Sequence, residues 1–454
     1  MINFIKKKSS LYSIRKNVKN ELKIYIHVGS PKTGSSAIQR LCLDNRLKLQ
    51  DLGYYYPEHP VDRNSVSGGH MDIARALRSK EYSRAQGIIN HWFDTARKKK
   101  LNLLLSSEAF YNLPSEFSHI IFPVEVKFIG FIRSPLEFLI ANYNQAVKRH
   151  NEKRKFSVVI ANALKDGMLS RFLNPLLIWE KHYGSERCSF RNYLPVTNNS
   201  PGVLNIFLHE IDLCEDYHSR LINEQSVTNK SYAFSALTLK RLINIVGDNI
   251  SPGTMAEIDL LLQEFSDSHE HECSLGLSNL PPEIYSTIYD KNISEIEDIV
   301  NHFPSIDMNK LFPSMSDTPP MAEMSANILT PLNFIRSKSY ACISEIKAGA
   351  IKSYKAGDIS YSVLKLLDSL NIPFDEPRFL GHLDSRASDL ILSDKYEEAD
   401  RLRTLALYFE KHEYYSDAFI LIKKAQLLRP NGQAINIIYK RLNDVLRING
   451  ELPV

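Results

Sequence analysis

No apolar run in this 454-residue chain approaches the ~18 residues that a membrane-spanning helix requires. The N-terminal lysines are followed by no apolar core of the kind a secretory signal carries. The five cysteines (Cys42, Cys188, Cys214, Cys273 and Cys342) are odd in number, scattered, and never in C-x-x-C spacing. That argues against a disulfide framework and a zinc site and fits a reducing compartment. A net charge of +4 is too small to imply nucleic-acid binding by itself. The expectation is a cytoplasmic protein with no resident metal and no nucleic-acid partner.

The content that is present suits a globular protein of two or three domains. Hydrophobic residues make up 43% and charged residues 24%, enough to build a sizeable core. Charge is uneven, however. Residues 1–23 hold Lys6, Lys7, Lys8, Arg15, Lys16, Lys19 and Lys23 against Glu21. A basic leader of this kind can touch acidic lipid at the inner face of a membrane. A solvated leader is the simpler reading of the same segment.

The most informative segment is Ile24-Tyr-Ile-His-Val-Gly-Ser-Pro-Lys-Thr-Gly-Ser-Ser36. It reads as a buried strand, a Gly-rich turn and a helix N-terminus, where backbone N–H groups and the helix dipole hold an anion. A nucleotide-triphosphatase loop places its lysine directly after the second glycine. Gly29 and Gly34 keep that spacing, but Ser35 stands at the lysine position and the lysine is Lys32, inside the loop. The loop is therefore suited to a shorter anion than a nucleoside triphosphate.

Periodicity extends the pattern. A helix is expected over about 35–51, others over 71–78 and 85–99, and further buried strands over 101–105 and 126–132. A further strand is a candidate at 188–194. Residues 136–185 read as helical. Strands alternating with helices define a parallel α/β sheet, whose ligands bind beyond the carboxyl ends of the strands. Three strands end in Gly29-Ser30, Ser107-Glu108 and Arg133-Ser134, one polar end each. Tyr54-Tyr55-Tyr56 reads as core or strand. Residues 314–334 are expected to be a linker, and 335–454 an α-helical domain. Within it, Leu402, Leu405, Ala406, Phe409, Ala418, Ile422, Ala425 and Pro430 fit the grammar of one tetratricopeptide repeat. Residues 348–370 and 383–399 would supply degenerate neighbours, because one repeat cannot bury its own face.

About residues 22–310 resemble the sulfotransferases that use 3′-phosphoadenosine 5′-phosphosulfate (PAPS), closest to the bacterial branch that sulfates carbohydrates. The resemblance rests on His-Val-Gly-Ser-Pro-Lys-Thr-Gly-Ser-Ser at 27–36, Leu-Ser-Ser-Glu-Ala-Phe at 105–110 and Ile-Arg-Ser-Pro-Leu-Glu-Phe-Leu-Ile-Ala-Asn-Tyr-Asn-Gln at 132–145. Weaker echoes are His70 before Ile73-Ala74, Trp179 with Tyr183-Gly184, and Asn229-Lys-Ser231. The resemblance implies a P-loop-type α/β domain over 23–313. Its 5′-phosphosulfate would be held by Ser30, Pro31, Lys32, Thr33, Gly34, Ser35 and Ser36. Lys32 would offset charge on the departing phosphate, and Arg133 would grip the 3′-phosphate. The family's helical serine falls on Ala141, so Asn142 or Asn144 is the substitute donor. Glu108 is the candidate general base, with an acid at a helix N-terminus as the competing reading. His70 is a second candidate base, against the simpler reading of a satisfied loop histidine.

The implied reaction is sulfuryl transfer from PAPS to a hydroxyl of a glycan or glycolipid, without a metal. A protein partner at the C-terminal repeats is a further expectation. Two other readings stand beside it. One is a kinase-like phosphotransferase, which calls for a lysine at position 35 and a Walker-B aspartate, neither evident. The other is a non-catalytic binding module built on the same fold.

Overall fold

The computed structural model describes residues 21–60, 68–163, 172–196, 202–222, 231–269, 272–277, 280, 282–312, 326–375, 385–393 and 395–449. Most of the basic leader (1–20), residues 229–230 of the Asn-Lys-Ser echo and residues 314–325 of the expected linker lie outside the described residues. No helix among the described residues is long and apolar enough to cross a membrane.

Five strands form one parallel sheet: β1 (Ile24–His27), β2 (Tyr54–Tyr55), β3 (Asn102–Ser106), β4 (Val126–Ile132) and β5 (Cys188–Asn192). Their order is β2-β3-β1-β4-β5. The near-continuous apolar runs of β1, β3 and β4 are what strands covered on both faces require. In register, Ile24 pairs with Leu103 on one side and with Val126 on the other. The order reverses at β1, because the chain first moves outward to β2 and later places β4 on the opposite side. All five strands run the same way, so β3, β1 and β4 release their chains side by side at one carboxyl edge.

One difference from the sequence pattern lies in the first helix. A single helix over 35–51 is expected, and two are found, Ser35–Asp44 and Arg46–Asp51. Asn45 separates them. Its side-chain amide donates to Leu41 O at 2.9 Å and to Leu221 O at 3.0 Å. An asparagine that satisfies distant backbone in this way competes with the helix it sits in.

The described residues divide into two compact units. The first comprises residues 1–133, 173–228 and 299–307 and holds the sheet. One of its cores joins Tyr25, Ile129 and Phe131 to Ile38 and Leu41 of the first helix and to Leu204 and Phe207 of Val203–Glu210.

The second unit is helical and comprises residues 134–172, 229–298 and 308–454. Its residues come from both sides of the stretch 314–334. Helix Leu329–Lys338 begins inside that stretch and buries Leu332 and Ile335. The later helices Tyr340–Lys355 and Tyr361–Ser369 share one core with Leu136, Leu139 and Ile160 and with Leu237, Leu242 and Ile258. At the C-terminal end, helices Glu398–Lys411 and Tyr415–Leu428 pack together with Ala406, Ala418 and Ala425 wholly buried, and Gln433–Ile448 lies against them. The small residues marked in the sequence are thus the contact points of a helix pair.

Candidate functional site

The segment after β1 turns sharply at Gly29, whose φ of 42° is in the left-handed region that glycine tolerates. Lys32 follows with φ 62° and Gly34 with φ 79°, the latter capping helix Ser35–Asp44. Positive φ at a lysine is uncommon and concentrates at functional turns. A loop that alternates in this way in front of a helix N-terminus makes a concave set of N–H donors, which suits an anion.

The loop is braced from within. Thr33 Oγ1 donates to Ser30 O at 2.6 Å, and Ser35 Oγ donates to the same oxygen at 3.5 Å. Both hydroxyls are buried. Of the sequence-predicted loop residues, Thr33 and Ser35 therefore hold the loop's shape with their side chains, while Ser30, Pro31, Lys32, Gly34 and Ser36 stay partly accessible. Burial raises the Tyr111 hydroxyl above its ordinary range and the Ser30 side chain pulls it back, which sets the segment beyond β3 beside the loop.

Glu108 begins a single 3-10 turn, Glu108–Phe110, capped by Ser107, whose hydroxyl accepts from Ala109 N at 3.3 Å. Its side chain is exposed by area, with enough protein around it to desolvate the carboxylate in part. Desolvation pushes the Glu108 carboxyl above its ordinary range, and the Lys32 ammonium pulls it back. Lys32 is half-buried. Desolvation lowers its ammonium below the ordinary range, the Glu108 charge raises it, and the neighbouring Arg133 lowers it further. Lys32 thus feels the charges of both Glu108 and Arg133 at the edge where β1, β3 and β4 end.

Arg133 leaves the end of β4. Its Nη1 donates to Lys32 O at 3.4 Å, a long contact, and its guanidinium lies 5.3 Å from the centre of the Tyr193 ring. Tyr193 also touches the loop, since a Cβ on Gly34 would come 3.3 Å from its Cε2. Tyr193 follows β5 with no motif around it, and sequence reasoning missed it. Tyr111 stood within reach of a motif, but its nearness to Ser30 becomes visible only in three dimensions.

His70 is corrected as a candidate base. It is 1% exposed, and burial lowers its imidazole to about 3. Nδ1 accepts from Ser106 N at 3.0 Å, and Nε2 lies 3.2 Å from Pro57 O, to which it donates. With both nitrogens committed to backbone, the ring is a clasp between two chain segments. Ala141, Asn142 and Asn144 belong to helix Pro135–Arg149 of the second unit. Asn142 is exposed, whereas Asn144 is buried and its Nδ2 has no partner. An unpaired buried amide is a donor in want of an acceptor.

Compared with protein families, curated proteins and solved structures, the chain matches none.

Proposed function

We propose that this chain is a sulfotransferase that moves a sulfuryl group from PAPS to a hydroxyl of a glycan or glycolipid. The observation that carries the reading is the electrostatic coupling of Lys32 and Glu108, with Arg133 beside Lys32, around a glycine-turned loop at the carboxyl edge of a parallel sheet. A strand order that reverses at β1 supports a P-loop-type domain, and the loop lysine supports an anion shorter than a triphosphate.

The donor supplies a sulfuryl group on a phosphate that must leave with negative charge. The residues of the chain divide the remaining work. The Gly29–Ser36 loop holds the 5′ anion with backbone N–H groups. Lys32 balances negative charge where it grows, which is where electrostatic stabilisation is worth most. Glu108 takes the proton from the acceptor hydroxyl as its oxygen forms the new bond to sulfur and the bond from sulfur to the phosphate oxygen breaks. A carboxyl raised above its ordinary range is a better proton acceptor than a free one. Arg133 grips a phosphate with parallel N–H donors. The loop's glycine cradle fits such a ligand.

The C-terminal helix pair reads as tetratricopeptide-like, a surface for a protein partner. The basic leader suits a cytoplasmic enzyme that meets a lipid-linked acceptor at the inner face of a membrane.

Calorimetry with the desulfated product PAP, beside ATP, tests the donor site, and a glycan panel with labelled PAPS tests transfer. Micromolar PAP binding without ATP binding, followed by label transfer, is expected. Preference for ATP overturns the reading, and PAP binding without transfer to any glycan reduces the chain to a binding module.

A further inference from the structure

We propose that a hydrogen-bonded row, His27–Ser106–Tyr56–His59, positions Glu108 against the Gly29–Ser36 loop, with His27 as a positioning residue; the proposal rests on the sulfuryl-transfer reading of this same edge. Three of the four residues mark the carboxyl ends of three adjacent strands. Tyr56 directly follows β2, Ser106 ends β3 and His27 ends β1, and these strands lie in the order β2-β3-β1. His27 and Ser106 are register partners. The row therefore crosses the floor of the site from strand to strand.

His27 Nδ1 lies 2.8 Å from Ser106 Oγ and Tyr56 Oη lies 2.9 Å from His59 Nε2; between these two pairs the Ser106 side chain acts on the Tyr56 hydroxyl as a donor that lowers it against the rise burial causes. His59 Nδ1 lies 3.3 Å from Pro60 O. That carbonyl can only accept, which sets the direction of the whole row. His59 donates from Nδ1 to Pro60, so its Nε2 accepts from Tyr56. Tyr56 then accepts from Ser106, and Ser106 accepts from His27 Nδ1–H. His27 Nε2 is left as a bare lone pair, buried and without a partner among the described residues. Burial holds the His27 ring neutral.

Such a row has a cost. His27 and Ser106 are fully buried and Tyr56 nearly so. Buried polar groups are tolerated when satisfied, and an apolar replacement of the same shape is often as stable. What a satisfied network adds is one specific arrangement. Its location says which arrangement. Two residues after His27 comes Gly29, and two residues after Ser106 comes Glu108. The last ladder bond between these chains, Ser107 N to His27 O at 3.1 Å, lies between those points, after which they diverge. The side-chain bond between His27 and Ser106 ties the two chains together just before they separate. A Cβ on Gly29 would stand 3.3 Å from His27 Cε1, so the ring also supports the loop's first turn. The His70 clasp on the backbone of Ser106 fixes the same strand end from the other direction.

The test uses the full chain with Tyr56→Phe, His27→Leu and His27→Asn. Tyr56→Phe keeps the shape and removes the link between Ser106 and His59. The asparagine can restore the donor to Ser106, while leucine cannot. Two quantities are read: the titration midpoint of Glu108 by carboxylate ¹³C NMR, and PAP affinity by calorimetry. In Tyr56→Phe and His27→Leu the midpoint is expected to fall toward the ordinary carboxylate value and PAP affinity to drop about tenfold. His27→Asn is expected to recover both. Should His27→Leu fail to fold, Tyr56→Phe decides alone. An unchanged Glu108 midpoint in folded Tyr56→Phe overturns the positioning role. A wild-type chain that ignores PAP defeats the transfer reading instead, and the NMR arm still decides whether the row positions Glu108.

Discussion

A Cβ placed on Gly29 would stand 3.1 Å from the Cα of Glu108 and 2.6 Å from Oγ of Ser35. The turn that opens the anion loop therefore rests on the backbone that presents the carboxylate, and neither can move without the other. Gly29→Ala meets both a positive φ and a backbone neighbour that cannot swing aside. It is expected to lower stability by about 1–3 kcal/mol and to weaken PAP binding by more than tenfold. Urea denaturation and calorimetry on the same protein check the two effects, and near-wild-type PAP affinity would show that the loop tolerates displacement.

Lys32 and Glu108 are expected to fail in different ways. Glu108→Gln keeps the shape of the side chain, so PAP should still bind while transfer drops by about 10²–10⁴-fold. Lys32→Ala removes charge stabilisation and should reduce transfer by about 10²–10³-fold. Because the two act on one event, the double variant should fall little below the worse single one. Initial rates with labelled PAPS separate these cases, and a Glu108→Gln enzyme with normal turnover would remove the carboxylate from the reaction.

The rate should follow a bell-shaped pH profile with both limbs drawn inward. The base must be ionised, and desolvation raises Glu108, so the acid limb lies above the ordinary carboxylate range. The loop lysine must be charged, and desolvation with Arg133 lowers Lys32, so the alkaline limb lies below the ordinary lysine range. Glu108→Gln should abolish the acid limb in the residual rate. An acid limb that survives this substitution belongs to another group.

Stability should fall with acid because of two buried histidines. His27 and His70 are each lowered to about 3, against an ordinary value near 6.5. Between those values the unfolded chain binds protons that the folded chain refuses, so stability is complete above about 6.5 and declines as pH falls toward 3. Each ring adds a slope of up to about 1.4 kcal/mol per pH unit. Urea midpoints from pH 7.5 to 4.5 should show this, and His70→Asn should be less stable at pH 7.5 but flatter across the series. An equal slope in the variant would mean that His70 does not contribute.

In the helical unit, Arg241 is buried and meets Glu413 Oε1 at 3.7 Å and Ser362 Oγ at 3.1 Å. Glu413 also accepts from the Ser362 backbone at 3.1 Å. Glu413→Ala would take a carboxylate away from a buried guanidinium and is expected to cost about 3–5 kcal/mol, measured by chemical denaturation. A loss of less than about 1 kcal/mol would show that the other partners of Arg241, among them Ser362 and the Lys153 carbonyl, suffice.

The strands were legible where burial on both faces leaves an apolar run, as in Leu103-Leu104-Leu105 of β3. A two-residue strand such as Tyr54–Tyr55 has no period to read. The break at Asn45 depends on Leu221, 176 residues away, and no local pattern carries such a partner. The C-terminal helices were legible as helices, but not the core they share with residues 136–163, because periodicity marks an apolar face without saying what covers it.

By itself the sequence determined the strand–loop–helix with its inward lysine, the polar ends of three strands and the small residues of the last helix pair. These are local matters of φ preference, spacing and side-chain size. Only the tertiary structure decided that Lys32, Glu108 and Arg133 share one edge, that His70 spends both nitrogens on backbone, and that His27 joins Ser106 beneath the loop. Those outcomes depend on strand order and on which polar atoms meet once water is excluded, and neither is encoded at any single stretch of the chain.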